Sequence, residues 1–301
     1  DKYILLFYSH MSGGQYLIGD YDLDRDKFKV TSSGLFNFGA SNPAGVHAPS
    51  ATPDGNGGVI VIFNMNPGLP LSGTKEYQRN WNQIMTIPRQ LSLDGDGSLM
   101  IEPAGDIVSL RHNHRQIEEI ELPANEEVLL KDVHGDVMEM SLEIDPLDAP
   151  MIEVNVLRSP GREEFTRIAF FKGRGYKIQE FAEEGALLQN GLKAVPPFTQ
   201  PRVLTLNESV ITLDSSYSSV DPAALSRPPE TASFILGENE LLKLRIFVDR
   251  SVVEVFVNGK QCVSVRVYPA RKDSLGVSLR AQGNSAVLCS LDAWHMKSIY
   301  K

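Results

Sequence analysis

The chain has 301 residues, 42% hydrophobic and 22% charged, an ordinary globular composition, and at this length roughly three quarters of the surface can be buried without disulfide or metal staples. Lys and Arg total 29 against 38 Asp and Glu, a formal charge of -9, which argues against nucleic acid or an anionic membrane as the main partner. No apolar run reaches the roughly 18 residues of a membrane span.

Residues 1–101 read as short β-branched and aromatic strands at 3–8, 16–21, 46–51, 59–64, 83–87, 90–93 and 99–101. Clusters of Gly, Pro, Asn and Asp cut them, as in DGNGG at 54–58 and DGDG at 94–97. That density is close to two propeller blades of four strands each. Two blades do not close a ring and leave a blade face and sheet edges open, so partner blades outside the chain are expected. The opening DKYILLFYS has no Met and already lies inside a strand, which reads as the later part of something longer.

Residues 103–116, PAGDIVSLRHNHRQ, carry the helical pattern: Ile107, Leu110 and Arg111 fall at i, i+3, i+4, with Asp106 as N-cap. This predicts a short linker helix. From Ile117 onward strands resume, with turns at SPG 159–161, KGRG 172–175 and NG 258–259, and point to an antiparallel β-sandwich. The longest loop is 215–230. His112 and His114 lack a third ligand, and GRG at 173–175 has no following βα unit, so neither a metal nor any other cofactor is expected. Asn207-Glu-Ser209 matches a glycosylation sequon, informative only in a secreted eukaryotic protein.

The stretch VDRSVVEVFVNGKQCVSVRVYP at 248–269 is a hairpin about Asn258-Gly259. A two-residue turn predicts Val257 opposite Lys260 and Glu254 opposite Val263, with Glu254 sharing its face with Val252, Phe256, Val263 and Val265. Both faces are mostly apolar, so the hairpin should lie within the sheet or beneath another domain. A carboxylate there must be paired and hydrogen-bonded. Asp249 and Glu254 could form a glycosidase-like acid pair, but five residues and a turn separate them, and a structural role for both is the larger reading. Cys262 and Cys289 are either one bridge or two thiols acting as small hydrophobes.

The segment LRIFVDRSVVEVFVNG at 244–259, followed by RVYP at 266–269, closely resembles the C-terminal sandwich of glycoside hydrolase family 32, the invertases, levanases, inulinases and related fructosyltransferases. IPRQLSL at 87–93, with Glu102-Pro103 and 107–111, resembles the family's exit from the propeller. YLIGDY at 16–21, with Phe28 and Phe38-Gly39, resembles its fourth blade. The resemblance implies an all-β fold: the last blades of a five-bladed β-propeller (1–102), a linker helix (103–116) and a C-terminal β-sandwich (117–301).

It also implies part of a retaining hydrolase or transferase acting on β-fructofuranosides. The family's nucleophile and acid/base motifs do not occur here, so no catalytic residue is expected in this chain; they are expected upstream of Asp1, and the chain alone is expected to be inactive. What remains is pocket wall. VHAPS at 46–50 places His47 where the family usually has Tyr, and VIVIFN at 59–64 places Asn64 at a usual Trp. Both departures replace an aromatic sugar platform by polar groups. The competing readings are a hydrogen-bonded strand histidine for His47 and a turn cap for Asn64. Trp81, after the 69–80 loop, is read either as a sugar-stacking border or as ordinary packing. The partners implied are a fructose-containing oligo- or polysaccharide and the missing blades. Homo-oligomer formation is left open, and a non-catalytic carbohydrate-binding or assembly module is the alternative function. Asp249 and Glu254 are read as structural, Glu254 buried against an Arg or backbone N–H groups, with Arg89 as the named partner.

Overall fold

A computed structural model describes residues 2–9, 13–39, 44–67, 84–174, 177–179, 202–204, 208–224 and 228–300. Trp81, Asn207 and part of the 215–230 loop lie outside the described residues. The described chain is almost wholly β-strand, and within it no helix is long and apolar enough to cross a membrane.

Two small antiparallel sheets come first. One comprises Tyr3–Ser9, Gly13–Asp22 and Lys27–Leu35 in sequential order. The other orders Ala44–Pro53, Val59–Pro67, Arg89–Leu93 and Leu99–Pro103, with Ile84–Met85 also paired to Val59–Pro67. Lys27–Leu35 is a strand that the hydrophobic pattern did not announce. Its sequence KFKVTSSGL has no sustained apolar alternation, and it is a largely exposed edge held by pairing to Gly13–Asp22.

Two larger sheets then face each other. The first orders Ile120–Leu122, Ala286–Met296, Val137–Asp145, Leu242–Asp249, Val252–Val257 and Gln261–Arg266, with Arg111–Ile117 also on Ala286–Met296. The second orders Glu127–His134, Gly276–Gln282, Met151–Arg158, Thr166–Phe171, Glu208–Asp214 and Glu230–Ile235. Side chains such as Met140, Leu142, Val154, Ile168, Ile246 and Leu279 fill the space between them. A second core, with Phe36, Phe63, Met65, Leu91, Phe247 and Phe256, joins the small sheets to the outer face of the first large sheet.

The linker helix is not formed. Residues 108–110 make a single 3-10 turn, and Arg111–Ile117 is a strand of the sandwich. Gly105 takes φ +89°, and Asp106 caps only this turn, through Ser109 N–H to Oδ1 at 3.2 Å. A run this short has too few hydrogen bonds to hold a helix in competition with a strand ladder. Pairing of 111–117 with Ala286–Met296 therefore overrides the local period.

The hairpin register is also one residue off the expectation. Val257 pairs with Gln261, Phe256 with Cys262, Val255 with Val263, and Glu254 with Ser264. The tight turn does form, with Lys260 N–H donating to Val257 O at 2.8 Å and positive φ at Asn258 and Gly259. Lys260 is the extra residue. Its ammonium is taken up by Glu240 at 2.7 Å and by Ile235 O, which draws it out of the ladder. The slip sorts the faces: Val253, Val255, Val257 and Val263 enter the sandwich core, while Val252, Phe256 and Cys262 enter the second core. Cys262 and Cys289 are both free thiols.

Gly259 docks on the small sheet through Ile101 N–H to its carbonyl at 2.7 Å. A Cβ there would stand 2.5 Å from Glu102 Oε1 and 2.8 Å from Met100 Cε, at φ +65°. Gly259→Val is therefore expected to lower stability by about 1–2 kcal/mol. Chemical denaturation of the full chain checks this, and an unchanged midpoint would show the docking to be dispensable.

Candidate functional site

His47 and Asn64 are Cα partners on the adjacent strands Ala44–Pro53 and Val59–Pro67. Asn64 pairs on its other side with Met85. It lies within a strand, so the turn-cap reading is corrected: hydrogen bonds between Phe63 and Thr86 carry the pairing past this point. Just beyond His47 the register shifts, and Ala48 takes φ +49°. A bulge of this kind re-aims neighbouring side chains, and a strained alanine persists only where its surroundings hold it.

The His47 ring lies 5.3 Å from that of Tyr8, tilted by 51°. Its Nε2 is buried with no hydrogen-bond partner among the described residues. Burial lowers its pKa from the ordinary value, so the imidazole is neutral at pH 7. Sequence reasoning missed Tyr8 as a neighbour, because only the pairing of distant strands brings it there.

The two carboxylates read from the hairpin sit in different settings. Glu254 is fully buried: its Oε2 accepts from Arg89 Nη2 at 3.0 Å and Ser264 Oγ at 2.9 Å. Its Oε1 accepts the Ile87 N–H at 2.7 Å. Arg89 is equally buried, donates also to Ser264 Oγ, and lies 5.1 Å over the Phe63 ring. Asp249 is exposed at the end of its strand. The two carboxylates therefore lie in unlike environments, although burial of part of its carboxyl still raises the Asp249 pKa.

Other buried carboxylates also bind structure together. Glu139 accepts from Arg111 at 2.7 and 2.8 Å and from Arg245 at 2.6 Å. Glu164 accepts the N–H groups of Val220, Ala270 and Arg271 and the Ser274 hydroxyl. His114 pairs with Asp292 at 2.6 Å and stacks on Trp294. Among the described residues no group of three or more His, Cys, Asp or Glu could hold a metal ion.

An open cleft of about 520 Å³ runs between the first small sheet and the sandwich edge, lined by Tyr16, Leu35, Phe38, Thr231, Ser233 and Gln261 among others. Glu230, the residue before Thr231, is buried and accepts the Phe38 N–H at 2.7 Å. The residue-level reading did not single it out, because it closes a polar loop and its partners are almost two hundred residues away.

Comparison with solved structures places this arrangement among propeller–sandwich folds. Fructan 1-exohydrolase IIa from Cichorium intybus superposes with a TM-score of 0.71 at 16% identity, over 99% of this chain and 61% of that one. Sucrose-6-phosphate hydrolase from Lactobacillus gasseri gives 0.64 at 20% identity, over 95% and 48%. The fold is thus all-β, with blades of a β-propeller followed by a β-sandwich.

The profile described as "Glycosyl hydrolases family 32 C terminal" matches residues 106–295, and the chain belongs to glycoside hydrolase family 32. A fructan 1-exohydrolase from Bromus pictus is 28% identical over 94% of this chain and 48% of its own length. Beta-fructofuranosidase, insoluble isoenzyme 4, from Oryza sativa subsp. japonica is 26% identical over 94% and 49%. The chain spans about half the length of these curated relatives.

Proposed function

We propose that this chain is the C-terminal part of a retaining glycosidase that acts on β-fructofuranosides in fructose-containing oligo- or polysaccharides. The observation that carries the reading is the family match at 106–295, together with relatives that are fructan exohydrolases and β-fructofuranosidases. In this reading the nucleophile and acid/base lie in propeller blades that these 301 residues do not supply. The first small sheet supports such partner blades: Tyr3, Leu5, Val30 and Leu35 on its outer face are each more than 40% exposed. Side chains of its opposite face, including Ile4, Leu6 and Tyr16, are already packed in the second core.

In this reading His47 and Asn64 form a polar wall of the sugar pocket, and Trp81, outside the described residues, is assigned to its sugar-stacking border in preference to ordinary packing. A neutral imidazole in that wall adds no charge that a neutral sugar would have to bury. Asp249 and Glu254 are structural. The purified 301-residue chain is expected to release no fructose from sucrose, inulin or levan. Sustained turnover by this chain at homogeneity would overturn the placement of both catalytic carboxylates.

A further inference from the structure

Glu230 opens the sandwich strand Glu230–Ile235, is buried to 8% exposure, and lies on the same strand face as Ala232 and Phe234, at the end of the core where Phe38 packs. Its Oε2 accepts the Phe38 N–H at 2.7 Å, and the Gly39 N–H is a second backbone donor. Thr231 N–H returns a bond to Phe38 O at 3.1 Å. The cradle requires glycine: a Cβ on Gly39 would stand 2.6 Å from Glu230 Oε1, and one on Gly45 would stand 3.2 Å from it. Gly45 belongs to Ala44–Pro53, the strand that carries His47 two residues on. One carboxyl group thus touches the chain segment that leaves the first small sheet and the first strand of the second.

Among the described residues no group of opposite charge compensates it, and it makes no ion pair. The segment 36–39 offers only Phe, Asn, Phe and Gly. On Ala44–Pro53 the titratable group is His47, held neutral by burial. On the neighbouring strand Glu208–Asp214, Leu213 stands opposite and Asp214 is engaged with Arg167 at 2.7 Å, while Glu208 lies at the far end, opposite Ile235. On the hairpin packed beside it, Lys260 is engaged with Glu240, and Arg266 lies over Tyr268. Burial accordingly pushes the Glu230 carboxyl up to about 7, against the opposing pull of the Phe38 and Gly39 N–H groups.

We propose that Glu230 is a proton-operated clamp between the sandwich and the propeller part. Protonated, it holds Phe38-Gly39 and the strand bearing His47 against the sandwich; ionised, it loosens that junction. The folded carboxyl titrates above its unfolded value of 4.5, so the closed state holds more protons than an open one between pH 4.5 and 7. Closure is therefore favoured at the acid end of that window and weakens as pH rises through it.

Hydrogen exchange on the full chain tests the clamp without reference to any activity. After correction for intrinsic rates, the amides of Phe38, Gly39 and Thr231 in the wild type should exchange more than about tenfold faster at pH 8.5 than at 5.5. In Glu230→Gln the corrected rates should be flat with pH. Equal pH dependence in the two proteins, or none in the wild type, overturns the proposal. Should the variant not fold, the side-chain carboxyl carbon of Glu230 in labelled wild-type chain gives the answer. A midpoint near 7 supports the clamp, and a midpoint in the ordinary carboxylate range rejects it.

Discussion

Glu254→Ala is expected to destabilise the full chain by about 3–5 kcal/mol, the range found when one partner of a buried ion pair is removed. The reason lies in what is left behind. Arg89 is wholly buried, and its Nε and Nη1 already lack hydrogen-bond partners. The carboxylate of Glu254 is the single counter-charge bonded to it among the described residues. Loss of that group leaves an uncompensated guanidinium, and the Ile87 N–H loses its acceptor as well. Arg89→Met should cost about as much, because the carboxylate is then the stranded charge. The double variant Arg89→Met/Glu254→Leu should cost clearly less than the sum, since two apolar groups of similar size remove both desolvation terms together. Urea unfolding of the four proteins measures the coupling. Two small single effects that simply add would mean that the pair does not hold the junction.

This pair also shows what could be read from the chain. The buried carboxylate follows from alternation on the hairpin; Arg89 is one candidate partner for it, and no local pattern singles it out. The contact with Ser264 did not follow, because the register turned on one residue. Asn-Gly specifies the tight turn, but whether Lys260 joins the ladder depends on Glu240, twenty residues away. The strand Lys27–Leu35 escaped for a related reason: an exposed edge needs a neighbour's hydrogen bonds rather than apolar side chains of its own. The helix at 103–116 was the opposite error, a local period that a strand partner near the C-terminal end of the chain overrides. At the candidate site, His47 and Asn64 could be named from the family resemblance, and their pairing side by side is a property of the folded sheet. Glu230 left no local signal, since a carboxyl that works between two domains looks like any loop-end acid in the sequence.

Acid unfolding of the chain should be governed by Glu127 and Glu164, with a sign opposite to that of Glu230. Glu127 is forked by Arg158, Nε and Nη2 each at 2.9 Å, and accepts the Ser278 hydroxyl at 2.7 Å. These bonds, led by the Arg158 fork, lower its carboxyl to about 2. For Glu164 burial alone would raise the pKa, but the Ser274 hydroxyl and the Arg271, Val220 and Ala270 N–H groups outweigh it and hold the carboxyl below the usual range. A depressed folded value means that the unfolded chain binds more protons, so the stabilisation is present above about 4.5 and is lost as pH falls toward 2. For Glu127 the shift from 4.5 to about 2 corresponds to about 3 kcal/mol, reduced to about 2 by its partial solvent exposure. Stability should therefore rise from pH 2 to about 4.5 on these two groups. From there toward pH 7 the Glu230 contribution falls as it becomes a buried charge, opposed by the rise that His47, buried neutral, supplies over the same window. Glu127→Gln should flatten the acid limb and leave the upper limb intact, while Glu230→Gln should do the reverse. Unfolding free energies measured from pH 2.5 to 8.5 separate the two limbs. If Glu127→Gln leaves the acid slope at its wild-type value, the Arg158 fork contributes nothing, and acid sensitivity must come from the remaining buried pairs.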